Sequence, residues 1–196
     1  MGDATGHCGP WLVFGHAIWL CTGMTAAIPM LETARLILRG YRNDDFSALV
    51  ELWADPRTTR LMGMKPMTEE DVWAKYLRSV GSWQVNGFGF WAIEEKASGR
   101  FIGEAGFLNA KRAIEPPLPI PEMGWSLVPD VQSKGYATEA VAAAIAWGEG
   151  YFGRVRFSCI IAPENAPSLR VAARFGFVEV SRTTYKDHPT IVFYRD

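Results

Sequence analysis

No lysine or arginine precedes Arg35, and Asp3 makes the beginning of the chain slightly acidic. A secretory signal opens on basic residues, so a cleaved signal is not expected. Residues 11–30, WLVFGHAIWLCTGMTAAIPM, approach the length of a membrane span, but Gly15, His16, Gly23 and Pro29 interrupt them. Arg35, Arg39 and Arg42 would suit the cytoplasmic flank of an anchor, yet the breaks make this a poor span. The expectation is a nonessential extension, residues 1–29, ahead of one domain, residues 30–196, that opens on Met30-Leu31-Glu32-Thr33. Histidine and cysteine are also scarce. His7, His16 and His188 are too scattered for a metal cluster, so no metal is expected. Cys8, Cys21 and Cys159 are odd in number and lack ligand spacing, which points to a reducing cytoplasm. A net charge of −1 gives no general attraction to nucleic acid or anionic membrane, so any basic site is local and suits a small anionic ligand. The G-x-G-x-x-G of dinucleotide-binding oxidoreductases is missing too, which sets that class aside.

What the 196 residues do contain is enough apolar material, 48%, for one sizeable core. Arg35–Arg39 reads as a strand; Asn43-Asp44-Asp45 opens a helix through Phe46, Leu49, Val50 and Trp53 that Asp55-Pro56 ends. Thr68-Glu69-Glu70-Asp71 opens a second helix carrying Val72, Tyr76, Leu77 and Val80. Strands are expected over 88–93 and 101–107, joined through Ser98-Gly99, and over 122–128 after the proline-rich segment 115–121. A further strand, 155–161, a helix from Asn165 to Gly176, and an antiparallel pair, 177–181 and 190–195, complete the chain. The fold class is therefore mixed α/β, with one parallel crossover inside an otherwise antiparallel sheet and helices on both faces.

The stretch Gln132-Ser133-Lys134-Gly135-Tyr136-Ala137-Thr138 precedes apolar positions Ala140, Val141, Ala144, Ile145 and Gly148 at helical spacing, with Gly150 and Gly153 as stop signals. It thus sits at a helix N-terminus, where unpaired N–H groups and the helix dipole attract phosphate and small residues let it approach. Lys134 adds a mobile charge. One strand later comes Asn165-x-x-Ser168-x-x-Val171-x-x-Arg174-x-Gly176-Phe177. The two motifs in this order, with the opening TARLILR, resemble the GCN5-related N-acetyltransferases over roughly Met30 to Asp196, and PDVQSKGYATEA is most similar to their ribosomal-protein-alanine acetyltransferase branch.

The resemblance implies that the strands ending near Leu127 and beginning near Val155 splay apart, so that Leu127 and Val128 offer backbone groups to the pantetheine of acetyl-CoA. Gln132, Ser133, Lys134, Gly135, Tyr136, Ala137 and Thr138 then cradle its pyrophosphate, and Asn165 and Ser168 contact the pantetheine. Arg170 and Arg174 lie four apart on one helix face, suited to an adenosine phosphate or simply to solvent. The implied reaction is direct attack of a primary amine on the thioester, with Glu122 taking the proton and a backbone N–H near Leu127 bonding the thioester oxygen. Many relatives carry a tyrosine as acid seven residues after the motif asparagine; here that position is Ala172, which leaves the proton donor unassigned. Trp91, Trp125 and Phe88 suit either an acceptor pocket or the core. The acceptor stays open between a protein N-terminus and a small amine or polyamine. A cytoplasmic enzyme, monomeric or homodimeric, with no nucleic-acid or membrane partner is expected. The alternative is an acyl-CoA-binding module without turnover.

Overall fold

The computed structural model of the chain describes residues 27–196, so the apolar stretch up to Ala26 lies outside the described residues. Among them run β1 (Leu31–Glu32), β2 (Leu36–Arg39), α1 (Asp45–Ala54), α2 (Pro56–Thr59), a 3-10 turn (Arg60–Met62) and α3 (Glu69–Asn86). Then come β3 (Phe90–Glu95), β4 (Phe101–Leu108), β5 (Glu122–Leu127), a second 3-10 turn (Pro129–Val131) and α4 (Tyr136–Phe152). The chain closes with β6 (Phe157–Ile161), α5 (Ala166–Arg174), β7 (Val178–Tyr185) and β8 (His188–Arg195). No helix among the described residues is long and apolar enough to cross a membrane.

The strands form one sheet in the order β1-β2-β3-β4-β5-β6-β8-β7, antiparallel throughout except for β5 and β6. α4 buries Ala140, Val141, Ala144, Ile145 and Gly148, the five positions singled out by helical spacing. It covers one face, over Leu38, Trp91, Ile93, Phe107 and Met123. α1 and α3 cover the other, packing Leu49, Leu52, Trp53, Val72 and Tyr76 against Ala92 and Phe101. The core reaches back to Ile28, and Trp91 Nε1 donates to Pro29 O at 2.7 Å.

Two helix starts show how local chemistry fixes these elements. Thr68 and Asp71 form the expected capping box, with Asp71 N–H donating to Thr68 Oγ1 at 3.2 Å and Thr68 N–H to Asp71 Oδ2 at 3.1 Å. The acidic cluster before α1 acts differently. Asp44 makes no side-chain cap, while the Asp45 carboxylate turns inward to take both Arg39 Nη1 and Nη2, at 2.7 and 2.8 Å. Arg39 Nε bonds Glu94 at 2.7 Å, so one buried guanidinium joins β2, β3 and α1. Hydrogen bonding to Asp45, opposed by burial and reinforced by Glu94, raises the Arg39 pKa and keeps it charged. A second buried group, Glu104 on β4, takes Lys75 Nζ of α3 at 2.7 Å and the Tyr41 hydroxyl. Burial, with Glu104 adding to it, pushes the Tyr41 phenol well above its ordinary pKa.

Candidate active site

β5 pairs along its whole length with β4, but with β6 it shares one register pair, Glu122 opposite Ser158. Beyond that pair the two strands part, and β6 takes β8 as its partner over five residues. Val128 N–H donates to Ile102 O at 2.9 Å, toward β4. Alternation along the strand then turns the Leu127 N–H to the unpaired side. The Leu127 carbonyl accepts Gln132 Nε2 at 3.2 Å, so no strand partner occupies it either.

At the mouth of this wedge stands the N-terminus of α4. Ser133 at φ +62° and Gly135 at φ +82° turn the chain, and no side chain caps the helix, leaving the first-turn N–H groups to an outside acceptor. The turn is braced from the start of the domain. Glu139 accepts Thr33 Oγ1 at 2.7 Å, Arg35 N–H at 2.8 Å and Arg35 Nε at 2.7 Å, while Arg35 Nη1 reaches Lys134 O at 2.9 Å. Burial works to raise the Glu139 pKa, but the hydrogen bonds from Thr33 and Arg35 outweigh it and hold the carboxyl below its ordinary value. Tyr136 donates its hydroxyl to Glu95 at 2.5 Å.

A cleft of about 330 Å³ runs from this turn into the wedge. Of the residues that the resemblance implies, Leu127, Gln132, Ser133, Gly135, Tyr136, Ala137, Thr138, Asn165, Ser168 and Arg170 line it, as do Arg174, Trp125 and Ser126. Asn165 Oδ1 accepts Ser168 N–H at 3.2 Å, capping α5. Val128 and Lys134 do not line the cleft. Lys134 is an exposed residue whose carbonyl is used by Arg35. Trp91 and Phe88 are core residues, Trp91 packing edge-on against Trp83 and Trp147. Ala172, on the inner face of α5, is fully buried and does not line the cleft.

Glu122 stands at the closed end of the wedge, 4% exposed and outside the cleft lining. Both carboxylate oxygens accept Arg112 Nε, at 2.9 and 2.8 Å. Although burial works against the charge on Arg112, hydrogen bonding and attraction to Glu122, with help from Tyr185, raise its pKa. Glu122 lies four residues before Ser126, about 13 Å along the strand at ~3.3 Å per residue.

The sequence reading missed one wall altogether. Thr58, Leu61 and Met62, from α2 and the 3-10 turn after it, also line the cleft. Asp55 caps α2 by accepting Arg57 N–H at 2.7 Å, and Arg57 Nη1 meets Asp130 of the second 3-10 turn at 3.3 Å. Gly63, which ends the first turn, lies against the ring of His188, the first residue of β8. No periodicity marks so short an element; the Asp-Pro-Arg cap was the one local signal present.

With this geometry in view, comparison with known proteins is specific. The model of the acetyltransferase (GNAT) domain matches residues 35–178. The chain is 25% identical over 150 residues to an uncharacterized N-acetyltransferase, YoaA, of Bacillus subtilis, covering 76% of this chain and 82% of that protein. Among solved structures, a GNAT-family acetyltransferase from Bordetella pertussis superposes with a TM-score of 0.76 at 30% identity, covering 86% of this chain and 99% of that one. A ribosomal L7/L12 α-N-protein acetyltransferase, RimL, in complex with coenzyme A shares the fold, with a TM-score of 0.67 at 18% identity over 85% of this chain and 97% of that one. The splayed strands, the uncapped helix start and the matched family model agree: the chain belongs to the GNAT acetyltransferases, and it is an acyl-transferring enzyme.

Proposed function

We propose that the protein transfers an acetyl group from acetyl-CoA to a primary amine, a protein N-terminal α-amine or a small-molecule amine, by direct attack in a ternary complex. The observation that carries this reading is the wedge between β5 and β6 with the uncapped start of α4 at its mouth. Acetyl-CoA supplies the activated thioester; the chain's own residues bind and orient it. Gly135 and the first-turn amides of α4 take the pyrophosphate, with Gln132, Ser133, Lys134, Tyr136, Ala137 and Thr138 shaping the turn. Leu127 supplies the free strand edge, Val128 being turned to β4 by its bond to Ile102, while Asn165 and Ser168 line the pantetheine and Arg170 meets the adenosine phosphates. The Leu127 N–H is the donor for the thioester oxygen.

Glu122 is our candidate base. It stands outside the cleft lining, farther than a single water can bridge, so the proton must travel to it along a chain of several waters, and its bond to Arg112 holds the carboxylate in one orientation. The demand on it depends on the acceptor. Neutralising a lysine of pKa about 10.4 at pH 7 costs roughly 4–5 kcal/mol, whereas an α-amine near 8 costs about 1. An α-amine therefore needs least from a distant base. A screen of free-thiol release from acetyl-CoA, run against peptides with free α-amines, peptides with free lysines and small polyamines, tests both reaction and acceptor. Thiol release with no amine above the no-acceptor rate would sink the proposal.

A further inference from the structure

A second cavity, of about 510 Å³, lies apart from the cleft that takes acetyl-CoA and shares no lining residue with it. Arg112, Glu115 and Pro117, from the segment joining β4 to β5, line it together with Thr183 and Thr184 of β7. Its volume is that of a ligand site. Two contacts tie it to the reacting region. Arg112 lines the cavity and holds Glu122, the candidate base, through Nε at 2.9 and 2.8 Å. Thr184 adjoins the tip of the β7–β8 hairpin, where Tyr185 is paired with His188, and the His188 ring lies against Gly63, next to the cleft-lining Leu61 and Met62.

The lining suits an uncharged chain that carries donors and acceptors in turn. The ion pair uses Arg112 Nε, which leaves Nη1 and Nη2 on a guanidinium set over the Tyr185 ring, 5.0 Å from its centre. These groups donate, the exposed Glu115 carboxylate accepts, and the hydroxyls of Thr183 and Thr184 do either. A polyamine would gain one carboxylate but face the guanidinium, and an anionic ligand would face Glu115, so like charge counts against both. A peptide backbone, with an N–H and a C=O at each residue, meets neither penalty. Reach points the same way. Ser126, beside the Leu127 donor for the thioester oxygen, stands about 13 Å along β5 from Glu122, at ~3.3 Å per residue. A group held by Arg112 is therefore separated from an amine at the thioester by roughly four extended residues, at ~3.3–3.6 Å each. A small amine cannot occupy both places.

Resting on the acetyl-transfer reading above, we propose that this cavity is a distal acceptor subsite and that the acceptor is the N-terminal segment of a polypeptide. Its α-amine lies at the thioester, and its backbone from about the fourth residue onward is bound by Arg112, Glu115, Thr183 and Thr184. The subsite supplies affinity and alignment; the chemistry at the thioester is unchanged by it.

The test measures kcat/KM of the full chain for two C-terminally amidated peptides with free α-amines, a dipeptide and a hexapeptide that begins with the same two residues, and for spermidine. In the parent the hexapeptide should exceed the dipeptide about tenfold, the worth of one or two hydrogen bonds. Thr184→Phe, which puts a ring into the cavity from an exposed strand position, should bring that ratio to within about twofold of one, and Glu115→Ala, on the facing segment, should lower it about threefold. Thermal melts establish that both variants are folded. A hexapeptide no better than the dipeptide in the parent, a tenfold ratio kept in either variant, or spermidine outperforming the hexapeptide would each overturn the proposal. Absence of turnover with every amine refutes the transferase reading instead, because turnover without length dependence counts against the subsite alone.

Discussion

Gly135 is the residue on which the phosphate-binding reading can be tested most sharply. It sits at φ +82°, ψ 2°, where an L side chain is strained by about 1–2 kcal/mol. A Cβ there would meet only Arg35 Nη2, at 3.4 Å, the far end of a flexible side chain. The free protein should therefore tolerate Gly135→Val. At ~2–4 °C per kcal/mol for a domain of this size, its melting temperature should fall by about 2–8 °C. Binding should suffer far more. The added side chain stands where a phosphate must approach the helix amides, and losing two charge-assisted hydrogen bonds of ~1.5–3 kcal/mol each weakens acetyl-CoA by about 10²- to 10⁴-fold. Strain and obstruction are separated by Gly99→Val. Gly99 has a similar φ of +67°, open space around it, and a place in the β3–β4 turn away from the cleft. Titration calorimetry with acetyl-CoA, beside a thermal melt, reads both quantities. Affinity within about threefold of the parent in Gly135→Val, or a comparable loss in Gly99→Val, would refute the assignment.

Glu122→Gln should lower turnover by about 10²- to 10⁴-fold at neutral pH, with acetyl-CoA affinity nearly unchanged. The deficit should shrink as pH rises and free amine accumulates; a flat pH profile of the variant-to-parent ratio would remove Glu122 as base. Asp45→Ala leaves the Arg39 guanidinium, 8% exposed, with half its partners and should cost about 3–5 kcal/mol, read by urea unfolding. Glu139, whose folded pKa is depressed, contributes stability that is present above its unfolded value and lost as pH falls through the folded one. Glu139→Gln should therefore melt below the parent at pH 7, and the two melting curves should converge as the pH drops below about 4.

What the sequence disclosed about the site was contiguous. The cradle turn and the α5 start each announce themselves within a few residues, because glycine at a left-handed position and a side-chain cap are local chemistry. The α4 face was legible for the same reason. The wall of Thr58, Leu61 and Met62 was not, since it forms only when α2 docks across the turn that follows β5. Nor did composition show that Glu104 and Asp45 would be buried partners of Lys75 and Arg39, since each pair forms only when a helix docks on the sheet, α3 on β4 and α1 on β2. The final hairpin runs longer than expected because Lys186 and Asp187 take positive φ, +51° and +65°, without the glycine that normally marks such a turn.

The single register pair between β5 and β6 makes the sheet two unequal panels, five strands and three, hinged at Glu122 and Ser158. The backbone continuity that most sheets carry across every strand is interrupted here, and α4 must span the seam from β5 to β6. A ligand lodged in the wedge would act as a splint, bonding to one panel along Leu127 and to the other beside Asn165. The site and the break in the sheet's hydrogen bonding are then the same place: side-chain packing, Phe107 on Phe157 among it, holds the panels together where the ladder is missing, and a bound ligand would add backbone bonds and so stability along that seam.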